Sequence, residues 1–168
     1  MATSGSWQVE ARAFLIPYTP FSHNFWVLAN PAGEVVDQLH GLAVDRKTGQ
    51  TKAVGTARDL LQVVRDATIR WSLQPGQPMT VCTSGPASEI GRRWQAAIDA
   101  MPALNWLALP YPNPWQHFYK PNSNSVFSTV GQIMGFVAPA FLLATWAPGT
   151  DLVVSQALVD EYRYQPLA

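Results

Sequence analysis

Charged residues are scarce in this sequence, and those present balance in sign. Lysine and arginine total 11, aspartate and glutamate also total 11, and the four types together form 13% of the 168 residues. Neutralising nucleic-acid phosphates, or anchoring by a polybasic segment, requires a basic excess that this chain lacks. We therefore expect no nucleic-acid partner.

Cysteine is almost absent, and no metal motif takes its place. Cys82 is the single cysteine, so the chain forms neither an intrachain disulfide nor a cysteine-based zinc site. The histidines, His23, His40 and His117, lack the i, i+4 spacing of a zinc motif, and the scattered glycines form no phosphate-binding loop. We expect no metal and no cofactor.

A signal peptide and a membrane-spanning run are also missing. The first six residues are small and polar, without the basic and apolar regions that direct secretion. The most apolar stretch, from Ile133 to Pro148, is broken by Gly135 and Pro139 and falls short of the roughly 18 uninterrupted residues that a span needs. We expect no stable membrane span.

Hydrophobic periodicity and turn motifs predict an α+β fold in one domain, residues 1–168. Alternation predicts strands at Trp7 to Ile16, His23 to Ala29, Glu34 to Val44, Thr51 to Val54 and Pro78 to Cys82, the first four forming an antiparallel meander. Helical spacing predicts helices at Ala57 to Arg65, from about Ala87, and from Asn122 to Gly135. Asp151 to Tyr164 fits either type. We expect an antiparallel sheet with helices packed on one side.

Two histidines lie on the strands that flank the turn Asn30 to Gly33. If the two central turn residues form the tip, His23 stands directly opposite His40, where one imidazole orients the other and fixes its tautomer. A bulge at the turn would instead place His23 opposite Gly41. If the two histidines faced opposite sides of the sheet, Asp37 would be the orienting residue.

A serine at a helix start is the candidate nucleophile. Asn122 is a good N-cap, which places Ser123 in the first turn, beside unpaired backbone N–H groups and the positive end of the helix dipole. A serine hydroxyl needs an adjacent base, and His23 is the candidate base, with His40 orienting it. Asn122 and Asn124 are candidates to support the oxyanion. The alternative interpretation is that these polar residues only cap the helix.

Two other residues compete for the nucleophile's role. Ser125 is placed to reach back to Asn122 in a capping interaction, which predicts a structural role. Cys82 lies in an apolar strand without a neighbouring base, and burial there would raise the pKa of its thiol.

The Pro-rich aromatic segment before the helix is a candidate substrate cleft. Proline at 110, 112 and 114 excludes a regular helix or a central strand there. Trp115, His117 and Tyr119 follow, and we expect them to line a cleft beside Ser123, unless they pack over the core. His117 is an alternative base.

The order of histidine strand, second histidine strand and helix-start nucleophile resembles that of circularly permuted papain-like hydrolases, above all the lecithin:retinol acyltransferase-like branch. The segment Asn122-Ser123-Asn124-Ser125-Val126-Phe127 is similar to the helix-start motif of that branch, Asn-Cys-x-x-Phe-Val, with serine in place of cysteine and the last two apolar residues exchanged. His23 with Phe25-Trp26-Val27, followed by His40, is similar to its histidine-bearing hairpin. The helix start also resembles that of uncharacterised bacterial domains carrying Pro-Asn-Ser-Asn-Ser.

The resemblance implies a papain-like domain that hydrolyses an amide or ester, either a peptide such as a peptidoglycan crosslink or a lipid acyl ester. It also implies an antibacterial effector toxin of a type VI or similar secretion system, made in the bacterial cytoplasm, exported without a signal peptide and paired with an immunity protein. Because serine replaces cysteine, a non-catalytic papain-like protein-binding domain is the alternative function.

Overall fold

An open antiparallel sheet of six strands forms the centre of the part of the chain that the computed structural model describes, residues 5–137, 140–141 and 143–167. The strands are β1 (Trp7–Leu15), β2 (Ser22–Ala29), β3 (Val35–Val44), β4 (Thr51–Lys52), β5 (Leu60–Arg65) and β6 (Met79–Gly85). Their order is β4-β3-β2-β1-β6, and β5 also pairs with β3. The predicted meander of the first four strands is confirmed.

Three α-helices pack on one side of this sheet: α1 (Ala87–Trp106), α2 (Ser123–Ile133) and α3 (Gln156–Tyr162). A 3₁₀ helix, Pro114–Phe118, precedes α2. The prediction of an α+β fold with helices on one side is therefore confirmed. Among the residues with assigned positions, no helix is both long and apolar enough to cross a membrane.

Side-chain alternation along the strands divides the sheet into two different faces. The face under the helices carries the core residues Val9, Ala11, Trp26, Leu39, Ala43, Leu61 and Val63. The opposite face carries His23, Phe25 and His40, whose rings lie together under Trp71. The loop between β5 and β6 thus covers the histidine side of the sheet.

The predicted helix over Ala57 to Arg65 is wrong, because Leu60–Arg65 is strand β5. Over so short a segment, the leucines and valines fit both the 3.6-residue period of a helix and the two-residue period of a strand. Pairing with β3 decides the outcome, since it buries Leu61 and Val63 against the helices while Gln62 and Val64 turn the other way. In the ambiguous C-terminal segment, Gln156–Tyr162 is helical and is capped by the Ser155 side chain.

Candidate functional site

The two strand histidines lie on the same sheet face, as the sequence predicted, but not in the predicted register. The β2–β3 ladder pairs Leu28 with Asp37 and Trp26 with Leu39, after an irregularity between Leu28 and Ala29. The predicted direct pairing of His23 with His40 is wrong by two residues, and the one-residue shift is wrong as well. Because a two-residue shift preserves the face, the histidines become diagonal neighbours.

A series of buried hydrogen bonds connects Gln38, His40 and His23. His23 Nε2 lies 3.1 Å from His40 Nδ1, and His40 Nε2 lies 3.2 Å from Gln38 Oε1. The Gln38 amide is fixed, because its Nε2 donates to the Ile69 carbonyl at 2.8 Å. His40 was predicted to orient His23, and this is the contact that such a role requires.

The series determines both tautomers. Gln38 Oε1 accepts only, so His40 carries its proton on Nε2 and accepts at Nδ1. His23 must then donate from Nε2, which leaves the lone pair on its Nδ1. The series gives His23 Nδ1 no partner of its own, so this nitrogen is the basic atom of the pair.

Burial keeps both rings neutral. Desolvation lowers the pKa of His23 from 6.5 to about 4. The pKa of His40 is lowered well below its ordinary value, first by burial and second by the neighbouring His23. Near neutral pH both imidazoles are uncharged, which is the state that the hydrogen-bond series requires and the state in which an imidazole accepts a proton.

The first turn of α2 is capped as the sequence predicted. The Asn122 side chain accepts from the backbone N–H groups of Asn124, at 2.8 Å, and Ser125, at 3.2 Å. The Ser125 hydroxyl accepts from the Asn122 N–H at 3.1 Å and donates to the Gly149 carbonyl at 2.9 Å. The predicted capping role of Ser125 is confirmed.

The same bonds remove Asn122 and Asn124 from the oxyanion role that the sequence suggested. Asn122 Nδ2 donates to the carbonyls of His117 and Pro148, at 2.7 and 3.0 Å. Asn124 Nδ2 donates to the carbonyls of Ser22 and Pro148, at 3.1 and 3.2 Å. Each amide has two N–H donors, and all four are already used to hold the helix start against its neighbours. Neither side chain can donate to an oxyanion without breaking a structural bond.

Ser123 lies against the sheet beside the two histidines, but the sheet backbone separates it from their rings. The Asn24 N–H donates to the Asn124 side chain at 2.9 Å, so the α2 start rests on the residue next to His23. A Cβ added to Gly41, the residue after His40, would come within 2.8 Å of Ser123 Cα. Strand alternation turns both imidazoles towards the other face. No hydrogen bond joins Ser123 to either ring.

Ser123 and His23 nevertheless line one cavity of about 330 Å³. Its lining residues on β2, Ser22 and His23, lie beyond the end of the β2–β3 pairing at Trp26 and Leu39. Ser123 is 8% exposed and His23 is 7% exposed, so both are buried.

Of the predicted cleft residues, only His117 lines the cavity. It lies in the 3₁₀ helix with Pro114 and Phe118, which line the cavity too, whereas Trp115 and Tyr119 point outwards and are exposed. The inward set has the i, i+3, i+4 spacing of one helical face, which the Pro-rich sequence did not suggest. Burial lowers the pKa of His117, and a bond to the Pro112 carbonyl opposes this.

Two further residues belong to the site. Tyr111 lines the cavity, and a hydrogen bond with Ser123 partly opposes the rise that burial causes in its pKa. Gln38 ends the histidine series. The sequence prediction did not include Gln38, although it lies two residues before His40 and therefore on the same strand face. Tyr111 belongs to the aromatic segment expected beside Ser123, but nothing in the sequence indicated its bond with Ser123.

The rival nucleophile, Cys82, lies on β6 and does not line the cavity. Burial raises the pKa of its thiol to about 11, which keeps it protonated. Among the residues placed by the structure, no three histidine, cysteine, aspartate or glutamate side chains are grouped to hold a metal ion.

Comparison of the chain with protein-family models, curated proteins and solved structures gave no match.

Proposed function

We propose that this chain hydrolyses an ester or amide bond, with Ser123 as the nucleophile. The observation that carries the proposal is the lone pair of His23 Nδ1. The buried Gln38–His40 series fixes that lone pair, and His23 and Ser123 are both among the residues that line one cavity. A neutral base, an oriented ring and a hydroxyl at a helix start are the parts that acyl transfer to serine requires.

In the proposed reaction, the Ser123 hydroxyl gives its proton to His23 Nδ1 as its oxygen attacks the substrate carbonyl carbon. His23 then returns the proton to the leaving alcohol or amine as the carbonyl re-forms, leaving an acyl group on Ser123. Water then gives a proton to the same nitrogen as it attacks the acyl carbon, and His23 returns the proton to Ser123 Oγ as the acid leaves. His40 stabilises the protonated His23 ring because its Nδ1 accepts a hydrogen bond from the His23 Nε2–H throughout.

The proposed oxyanion donors are the Ser123 backbone N–H and the Tyr111 hydroxyl. The N–H groups of Asn124 and Ser125 are bound to the Asn122 cap, whereas that of Ser123 makes no hydrogen bond in the described residues. Burial raises the pKa of Tyr111, so its phenol stays protonated and able to donate.

The serine–histidine step requires a local adjustment, because no hydrogen bond joins Ser123 to His23 in the ligand-free chain. Such bonds are often long or absent before substrate binds. One feature supports a movement: β2 and β3 are not paired beyond Trp26 and Leu39, where His23 lies.

The resemblance to permuted papain-like hydrolases supports the same proposal, since the chain order and the helix-start motif agree with it. The cavity suits an apolar acyl or side-chain group, because Ile16, Phe21, Val54, Pro114 and Phe118 line it. The peptide and lipid substrate classes both remain within the proposal, and so does an effector that is exported and held inactive by an immunity protein.

Hydrolysis of p-nitrophenyl esters of increasing acyl length, and of the matching anilides, tests this function. We expect turnover by the wild-type chain and a loss of at least about 10³-fold in kcat for Ser123→Ala. Cys82→Ala is the control and should keep wild-type activity. Turnover that survives in Ser123→Ala would refute the proposal.

A non-catalytic binding domain is the second candidate, because the Ser123 hydroxyl hydrogen-bonds with Tyr111 and not with a histidine. In that case the cavity would hold an apolar ligand group without chemistry. Saturable binding of an unhydrolysed substrate analogue, with no turnover of any ester or anilide, would favour this function over hydrolysis.

A further inference from the structure

The loops around the cavity mouth expose aromatic and apolar side chains that the proposed chemistry does not use. We define the rim as residues 16–21, 53–55, 114–119 and 146. Each of these four segments contributes to the cavity lining or contacts a lining residue. The large exposed rim side chains are Ile16, Tyr18, Val54, Trp115, Phe118, Tyr119 and Trp146.

Tyr18 is fully exposed to solvent and has a left-handed backbone conformation. Its φ is 63°, in the left-handed region that an aromatic residue rarely adopts. Thr19 holds the turn, because its N–H and hydroxyl both donate to the Ile16 carbonyl, at 3.2 and 3.0 Å. The hydroxyl also accepts from the Phe21 N–H at 3.2 Å. A strained conformation that exposes a whole aromatic ring is typical of a functional surface.

Aromatic contacts connect three of the rim segments, 16–21, 114–119 and 146. The Phe21 ring lies 4.9 Å from that of Trp146 and 6.0 Å from that of Phe118, and Phe118 lies 6.4 Å from Trp146. The Phe21–Trp146 bridge also pairs their backbones. These contacts join three of the four rim segments through Phe21, Phe118 and Trp146.

The rim lacks acidic residues. Its residues, 16–21, 53–55, 114–119 and 146, include no aspartate, glutamate, lysine or arginine, although the chain has 11 acidic and 11 basic residues. An anionic headgroup layer would repel carboxylates, whereas tryptophan and tyrosine are enriched where lipid meets water. The near absence of charge also removes the charged pairs and arginine anchors that are common at protein interfaces.

We propose that the rim docks this protein on the surface of a lipid bilayer, with the cavity mouth facing the membrane. Tyr18, Trp115 and Trp146 lie at the level of the headgroups, and Val54 and Phe118 contact the acyl region. The attachment is apolar, so it needs no basic patch and persists at high salt. It does not depend on hydrolysis.

Vesicle flotation tests the docking surface. The wild-type chain should float with phosphatidylcholine vesicles, with or without phosphatidylglycerol, and should remain bound at high salt. The triple variant Tyr18→Ser/Trp115→Ser/Trp146→Ser should lose at least about tenfold in partition coefficient. Trp106→Ser is the matched control, because Trp106 on α1 is 87% exposed, as much as Trp115 at 81%, yet lies outside the rim.

Two further measurements distinguish membrane docking from the proposed hydrolysis. Ser123→Ala should float like the wild type, so failed chemistry leaves docking intact. Brominated lipid should quench the fluorescence of Trp115 and Trp146, so their replacement by phenylalanine reduces quenching, whereas Trp106→Phe does not. Failure of the wild type to float, or equal flotation of the folded triple variant, would refute membrane docking and leave a protein partner for this surface.

Discussion

The imidazole of His23 lies beside that of His40 with the two ring planes within 3° of each other, and Nε2 of the first is 3.1 Å from Nδ1 of the second. A shared plane gives the N–H···N bond its best direction. Because Gln38 fixes the proton on His40, this bond also decides which nitrogen of His23 is basic. The tautomer of the proposed base is thus set by the fold.

Stability should fall in mild acid because of this pair. The folded pKa of His23 is lowered from 6.5 to about 4, so between these pH values the unfolded chain binds more protons than the folded chain. The stability is fully present above pH 6.5 and is lost as the pH falls towards 4, by about 3 kcal/mol for His23 alone. Urea unfolding across this range measures the loss.

His23→Phe is the control for that measurement. Its free energy of unfolding should depend less on pH over the same range, because one buried imidazole no longer titrates. A wild-type stability that stays constant from neutral pH to pH 4 would contradict buried neutral histidines.

Gln38→Met should show whether the bond from His40 to Gln38 matters for catalysis. Methionine is similar in size to glutamine but lacks the oxygen that accepts from His40 Nε2 and from the Ser72 hydroxyl. We expect a loss of about 1–3 kcal/mol in stability and a drop of about 10- to 100-fold in kcat, with KM little changed. Ester turnover and urea unfolding give the two values. A variant with unchanged kcat would show that catalysis does not depend on the hydrogen bond between His40 and Gln38.

Gly41→Ala should displace Ser123. The new Cβ would lie 2.7 Å from the Ser123 carbonyl oxygen and 2.8 Å from its Cα, both backbone atoms that cannot move alone. We expect a loss of about 1–3 kcal/mol in stability, together with lower activity.

Gly91→Ala is the matched substitution, because a Cβ at this position on α1 meets nothing within 4 Å. It should leave stability unchanged or raise it by up to about 1 kcal/mol, since alanine favours helix. Equal thermal stability of the two variants would contradict the close approach of α2 to β3.

Ser125→Ala should cost stability and not chemistry. The change removes the bond from the Asn122 N–H and the bond to the Gly149 carbonyl, both buried. We expect a loss of about 1–2 kcal/mol with little effect on kcat. A folded Ser125→Ala protein that loses its turnover as Ser123→Ala does would reassign the nucleophile.

Local chemistry made α2 predictable from the sequence. Asn122 and Ser125 carry the capping signal in their own side chains, and both serve as expected. Strand β5 was not predictable in the same way, because Leu60 to Val64 fits a helix as well as a strand. Pairing with the edge of β3 makes this segment a strand, and the residues of β3 lie about twenty positions earlier in the sequence.

The site shows the same division. Because side chains alternate along a strand, a shift of the β2–β3 register by two residues keeps His23 and His40 on one face. Their contact was therefore predictable from the sequence, although the exact register was not. The roles proposed for Asn122 and Asn124 failed because their amide donors are used by the His117, Pro148 and Ser22 carbonyls. The position of those carbonyls depends on tertiary packing, which no short motif records.

Labelling with a fluorophosphonate, which reacts with activated serine hydroxyls, tests the central claim most directly. Peptide mapping by mass spectrometry should find the adduct on Ser123 of the wild-type chain and not on Ser125. The His23→Gln variant, shown to be folded by circular dichroism, should label at least about 100-fold more slowly, because the serine has lost its base. An unlabelled wild-type Ser123, or equal labelling rates in the two proteins, would contradict activation of Ser123 by His23.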